Sequence, residues 1–187
     1  MRRKCQLARL RPDLAIEDLR GNVETRLKRL EEGRFDAVVL AAAGMTRLGL
    51  LANASQILET EEMLPAVGQG ALAIEIREGD GRLQKLLAPL QDEETRIATA
   101  AERSFLERLE GGCQVPVAAH AVWRARRVHL RALVCDLEGK RLLEKEGDAA
   151  PDQVEALGRR IANDLLSSGA GEILEEIYRA QGAAKKA

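Results

Sequence analysis

The chain has 187 residues, 45% hydrophobic and 32% charged, with a formal net charge of −1. That composition describes a folded chain with a core of its own and excludes a disordered one. No apolar run approaches the ~20 residues of a membrane span, and 2% aromatics without overall basicity argue against a nucleic-acid binder. No secretory signal is visible, and the three cysteines, Cys5, Cys113 and Cys135, form no C-x-x-C pair. A disulfide framework and a metal site are therefore not expected, and the reading is a reducing, cytoplasmic setting. Charge is unevenly spread, with 11 Lys/Arg against 7 Asp/Glu in the first fifty residues. A local basic excess of this kind suits small anionic ligands.

In chain order, Arg2 to Arg11 has helical character and is stopped by Pro12-Asp13. Ala15 to Leu19 reads as a short strand. Asn22 can cap a helix to about Glu32, with Val23, Leu27 and Leu30 on one face. Ala37 to Ala41 is a continuous apolar run, the pattern of a buried parallel strand, and Met45 to Leu50 starts a short helix. This alternation predicts an α/β lobe, whose ligands bind at the carboxyl ends of the strands. Arg20, Arg26 and Arg47 fall beside those ends, and Arg2 and Arg3 open the first helix. Five arginines can thus converge on one cleft edge, where the planar guanidinium holds carboxylates bidentately. Each, taken singly, also reads as a solvated surface arginine.

Leu64-Pro65-Ala66-Val67-Gly68-Gln69-Gly70 has the composition of a hinge or domain crossing. Ala71 to Ile76 alternates like a strand, and Asp80 to Leu87 reads as a short amphipathic helix. Pro89 then marks a boundary. Beyond it the pattern predicts a small α+β domain. A helix runs from Asp92 to Leu109, with Ile97, Ala101, Phe105 and Leu109 on one face. Strands follow at Val115–Trp123, Arg127–Cys135 and Lys140–Glu146. A helical region from Pro151 to about Tyr178 is interrupted near Ser168-Gly169, and Gly182 to Ala187 is a frayed tail. The expected arrangement is a three-stranded antiparallel sheet with helices on one face. Between helix and first strand, Gly111-Gly112 precede Cys113. Flanking glycines can display a thiol on a loop as a covalent attachment point, or Cys113 can be a small hydrophobe after a helix cap.

Five stretches carry a resemblance. They are Arg2-Arg3-Lys4-Cys5-Gln6-Leu7, Leu19-Arg20-Gly21-Asn22-Val23-Glu24-Thr25-Arg26-Leu27, Ala42-Ala43-Gly44-Met45-Thr46-Arg47-Leu48-Gly49, Leu64-Pro65-Ala66-Val67-Gly68-Gln69-Gly70-Ala71 and Leu109-Glu110-Gly111-Gly112-Cys113-Gln114-Val115-Pro116. In order and spacing the chain resembles the porphobilinogen deaminase (hydroxymethylbilane synthase) family of tetrapyrrole and haem biosynthesis. The resemblance implies that Cys113 carries a dipyrromethane cofactor in thioether linkage. It implies stepwise condensation of four porphobilinogen units, with loss of ammonia, to hydroxymethylbilane. It further implies that Arg2, Arg3, Arg20, Arg26 and Arg47 bind the acetate and propionate groups of cofactor and growing chain, and that Gln69 is a hinge residue beside the substrate.

The family pattern also includes an N-terminal segment that supplies most of a first lobe and the catalytic aspartate. No stretch of this chain matches it, so no catalytic residue is assigned, and these residues alone are expected to be inactive. The expected organisation is a second lobe of the two-lobed, periplasmic-binding-protein-like architecture at 1–66, incomplete at its start. A hinge, strand and helix returning to the first lobe follow at 67–90, and a cofactor-carrying domain at 91–187. Family members are usually monomers. This chain is expected to self-associate or to need a first-lobe partner, and to engage neither membrane nor nucleic acid. The alternative is a non-catalytic carboxylate-binding module of the periplasmic-binding-protein type, which the displayed thiol of Cys113 disfavours.

Overall fold

The computed structural model describes residues 1–109 and 115–184. Its main core lies in the second half of the chain. Helix α5 (Glu93–Arg108) starts where Asp92 accepts a hydrogen bond from the Thr95 amide at 2.8 Å, and Glu93 and Glu94 face its positive dipole end. Strands β1 (Val117–Arg124), β2 (Arg127–Cys135) and β3 (Leu142–Ala149) form an antiparallel sheet in the order β1-β2-β3. Its register pairs Val117 with Val134 and Val128 with Ala149. The β1–β2 turn is two residues, Ala125 and Arg126, both at positive φ. This primed geometry matches strand twist, but it usually recruits Gly or Asn, so the sequence carries no turn signal there.

Alternation along β2 sends Val128, Leu130, Ala132 and Val134 into one core with Ile97, Ala101 and Phe105 of α5. Helix α6 (Val154–Leu165) adds Leu157, Ile161 and Leu165. Its Gly158 lies so close to α5 that a Cβ there would stand 2.3 Å from the Ala101 carbonyl oxygen. Helix α7 (Gly171–Ala184) follows a break at Gly169, whose φ of 102° is open to glycine, and adds Ile173, Leu174 and Ile177. The small α+β domain read from the sequence is therefore present, with element limits shifted by a few residues.

The first half holds α1 (Arg2–Leu10), α2 (Val23–Glu31), α3 (Ala42–Arg47) and α4 (Gly81–Leu87). Asn22 caps α2, accepting from the Thr25 amide at 2.8 Å, as its position predicts. The expected strands at 15–19, 37–41 and 71–76 are a correction. They are not strands here, and among the described residues no ladder forms on them. A strand exists only through a neighbour's backbone, and an apolar run without that neighbour forms none.

One expectation about the sheet also changes. Its second face is not left bare, because α1 packs on one end of it. Cys5 joins Leu64, Ala118, Leu133 and Cys135 in a second apolar cluster. Gly139, at φ 72° in the β2–β3 turn, meets the helix so tightly that a Cβ would lie 2.5 Å from the Cys5 carbonyl oxygen. Beyond that cluster the face carries polar pairs, with Arg131 bridging Glu144 at 2.6 Å and His129 Nδ1 3.2 Å from Asp148.

Candidate functional site

The docking of α1 places its first turn. Cys5 is fully buried, and its thiol donates to the Arg2 carbonyl at 3.2 Å. Gln6, 5% exposed, donates to the Leu64 carbonyl at 3.0 Å and accepts from the Leu64 amide at 2.8 Å. A side-chain amide is well suited to this, since it has one acceptor and two donors in a plane. Gln6 thereby joins α1 to the start of the 64–70 crossing.

From that first turn Arg2 Nη2 donates to Gln69 Oε1 at 3.0 Å. Arg3 is held below the usual arginine range, first by burial and then by the charges of Arg2 and Arg26. Arg2 and Arg26 therefore each lie within electrostatic reach of Arg3. Arg26, on α2, is oriented by its Nε bond to the Gly21 carbonyl at 2.9 Å. Gly21 has φ 120°, and a Cβ there would sit 2.9 Å from Thr25 Cγ2, so this turn requires glycine. Arg47, at the end of α3, donates to the Gly70 carbonyl at 2.9 Å. Arg2 and Arg47 thus hold adjacent residues of the crossing.

Arg20 is exposed, and the contact that involves it is through its backbone, where its carbonyl accepts from Arg29 at 3.4 Å. Among the described residues no bond joins its side chain to the other four. Cys113 lies outside the described residues. The segments on either side of it enter the main core at Leu109 and Val115. The other two thiols are buried, and the hydrogen bond between them, followed by burial, pushes Cys135 well above the usual thiol range. The same hydrogen bond, as the largest cause, draws Cys5 below that range, so it is the complete burial of both thiols that shuts them off from reagents in solvent.

Like charges gathered on rigid elements repel unless an anion lies among them. Arg2, Arg3 and Arg26, with Arg47 close by along the crossing, form a surface suited to a ligand carrying several carboxylates, each of which a guanidinium can grip with two parallel bonds. Two residues that hold this surface were not singled out from the sequence. Gln6 gives no local sign, but Glu102 does. It is a carboxylate on the apolar stripe of α5, next to Ala101 and one turn before Phe105, and is 5% exposed. Its oxygens accept from the Gly68 amide at 2.6 Å and the Ala121 amide at 2.8 Å.

These features define a class, an arginine-rich helical region stitched through a glycine-rich crossing to an α+β domain. Residues 1–85 match the family model described as porphobilinogen deaminase, dipyromethane cofactor binding domain. Residues 97–167 match the model described as porphobilinogen deaminase, C-terminal domain. A curated porphobilinogen deaminase of Syntrophobacter fumaroxidans is 48% identical over 180 residues, which is 96% of this chain and 58% of that protein. The chain belongs to the porphobilinogen deaminase family. It spans 58% of the length of the curated relative it matches.

Proposed function

We propose that this chain provides the arginine wall and the thiol anchor of a hydroxymethylbilane synthase acting on porphobilinogen. The observation that carries the proposal is the placement of Arg2 and Arg3 on the first turn of α1, which Cys5 packs against the sheet, with the charge of Arg26 acting on Arg3. Porphobilinogen and every pyrrole derived from it carry two carboxylates, so a growing chain needs many fixed cations. A dipyrromethane fits the same donor set. When bound, it supplies the nucleophilic pyrrole carbon onto which units condense. Arg2, Arg3, Arg26 and Arg47 would hold its carboxylates and those of the units added to it, with Gln69 orienting Arg2. Arg20, exposed just before the turn that starts α2, is proposed for the later carboxylates. Cys113 is proposed as the thioether anchor, because Cys5 and Cys135 are fully buried.

The organisation proposed with this function is an incomplete α/β lobe at 1–66, a returning hinge, strand and helix at 67–90, and the anchor-bearing domain at 91–187. The apolar runs at 15–19, 37–41 and 71–76, which lie outside any helix, support it, since each could pair as a strand once a neighbouring backbone is supplied. The proposed setting is the cytoplasm. No helix among the described residues is long and apolar enough to cross a membrane.

The test is an intact-mass measurement on the chain co-expressed with the first-lobe segment of the Syntrophobacter relative. The expected result is a covalent dipyrromethane that iodoacetamide cannot displace and that Cys113→Ser abolishes, whereas Cys5→Ser and Cys135→Ser retain it. Dipyrromethane mapped to Cys5 or Cys135 would overturn the anchor assignment. In the chain alone, brief iodoacetamide treatment should label Cys113 first.

A further inference from the structure

We propose that Glu102 is a positioning residue which, from α5, sets the 65–70 crossing and through it the placement of Arg2 and Arg47. This deepens the proposed function and, in what it says of ligands, rests on the carboxylate-binding reading of the arginines.

The sheet edge gives the reason. Among the described residues strand β1 pairs with β2 alone, and the amides of Ala119 and Ala121 face away from the sheet. The crossing covers that edge. Ala119 donates to the Pro65 carbonyl at 3.2 Å, and Ala121 donates to Glu102 Oε1 at 2.8 Å. Gly68, at φ 69°, turns its own amide inward to Glu102 Oε2 at 2.6 Å. Two amides from separate segments therefore converge on one point with no carbonyl to receive them. Among side chains, a carboxylate best meets this need, since it only accepts and has two oxygens. Burying its charge is costly unless charged-acceptor bonds offset it, and here there are two, with His120 Nδ1 a further 3.7 Å from Oε1.

The next residues along the chain carry the link to the site. Gln69 accepts from Arg2, and the Gly70 carbonyl accepts from Arg47. At its other end the crossing is clamped by Gln6 at Leu64. A shift of Gly68 thus moves the acceptors that orient two arginines, although Glu102 touches neither. In Glu102→Gln, a single acceptor oxygen remains and an NH2 group confronts one of the two amides.

The experiment measures peptide-level hydrogen–deuterium exchange and, by calorimetry, binding of 1,2,3-propanetricarboxylate as a non-reacting carboxylate probe. In Glu102→Gln, exchange across 66–70 should rise at least about tenfold, as loss of a charged hydrogen bond predicts, with β2 still protected. Tricarboxylate affinity should fall several-fold. Glu102→Asp, which keeps the charge on a shorter arm, should give an intermediate result and guards against a Gln variant that fails to fold. Ser104→Ala removes a bond from the same helix to the Glu155 carbonyl. It should lower stability but leave 66–70 exchange and tricarboxylate affinity unchanged. In a Gln69→Ala background, Glu102→Gln should weaken tricarboxylate binding less than it does in the wild type. Unchanged exchange at 66–70 in Glu102→Gln, or an equal effect of Ser104→Ala, overturns the proposal. If the wild-type chain binds no tricarboxylate, the carboxylate reading of the arginines fails, and the exchange measurement still decides the role of Glu102.

Discussion

Gln6 and Glu102 do comparable work with different chemistry. Gln6 meets one amide and one carbonyl of Leu64, so it needs a donor and an acceptor, whereas Glu102 meets two amides and needs two acceptors. Gln6→Ala leaves both polar groups of buried Leu64 unpaired. The expected loss is about 2–4 kcal/mol, read from the denaturant midpoint at unchanged slope. Gln6→Glu should cost nearly as much, because a carboxylate cannot donate to the carbonyl. A second residue-scale prediction concerns acid. Glu176 on α7 is held below the usual carboxylate range by its hydrogen bonds to Arg141 at the β2–β3 turn. A carboxyl depressed in the folded state stabilises it above the unfolded pKa, and that contribution disappears as pH falls through the folded value. The gap in Tm between wild type and Glu176→Gln should therefore be present at neutral pH, shrink below about pH 4 and vanish in stronger acid. A gap independent of pH would show that the ion pair contributes nothing.

At the scale of elements, the α5–α6 crossing depends on Gly158. A Cβ there would lie 2.3 Å from the Ala101 carbonyl oxygen and 2.7 Å from the Phe105 amide nitrogen. Both are helix backbone and cannot turn aside as a flexible side chain would. Gly158→Ala should force the helices apart and cost at least about 1–3 kcal/mol, the usual range for overpacking, despite alanine's better helix propensity. Thermal unfolding measures this directly, and a stabilised variant would mean that the crossing is looser than described. The sequence shows Gly158 only as an unexplained glycine in a helical pattern. Its reason lies in a neighbour about fifty residues away.

For the whole molecule, the two halves of the chain differ in how completely they bury their apolar residues. The second half closes around one core. In the first, Leu72, Ile74, Leu86 and Leu90 are 78%, 58%, 68% and 69% exposed. Exposed apolar residues along an unpaired extended segment favour association. The chain alone should sediment as dimers or larger species at micromolar concentration, and a double variant Leu72→Glu and Leu86→Glu should reduce this. A monodisperse wild-type monomer by light scattering would count against it.

What could be read from the sequence follows the range of the forces involved. The Asn22 cap, the helix starts near Asp80 and Asp92, the break near Gly169 and the strand at Arg127–Cys135 were legible, because each depends on residues a few positions apart. The five arginines were singled out by their expected place at strand ends, but those strands do not form, and among the described residues no bond joins the Arg20 side chain to the other four. The tertiary structure decided three things that local pattern cannot carry. It left 15–19, 37–41 and 71–76 without ladders, because a strand depends on a partner and not on its own apolar run. It placed α1 on the second face of the sheet through Cys5 and Gly139, a contact across more than a hundred residues. It also turned Glu102, a charge on an apolar stripe, into the acceptor for two backbone amides, because a buried carboxylate is tolerated only where distant donors meet it.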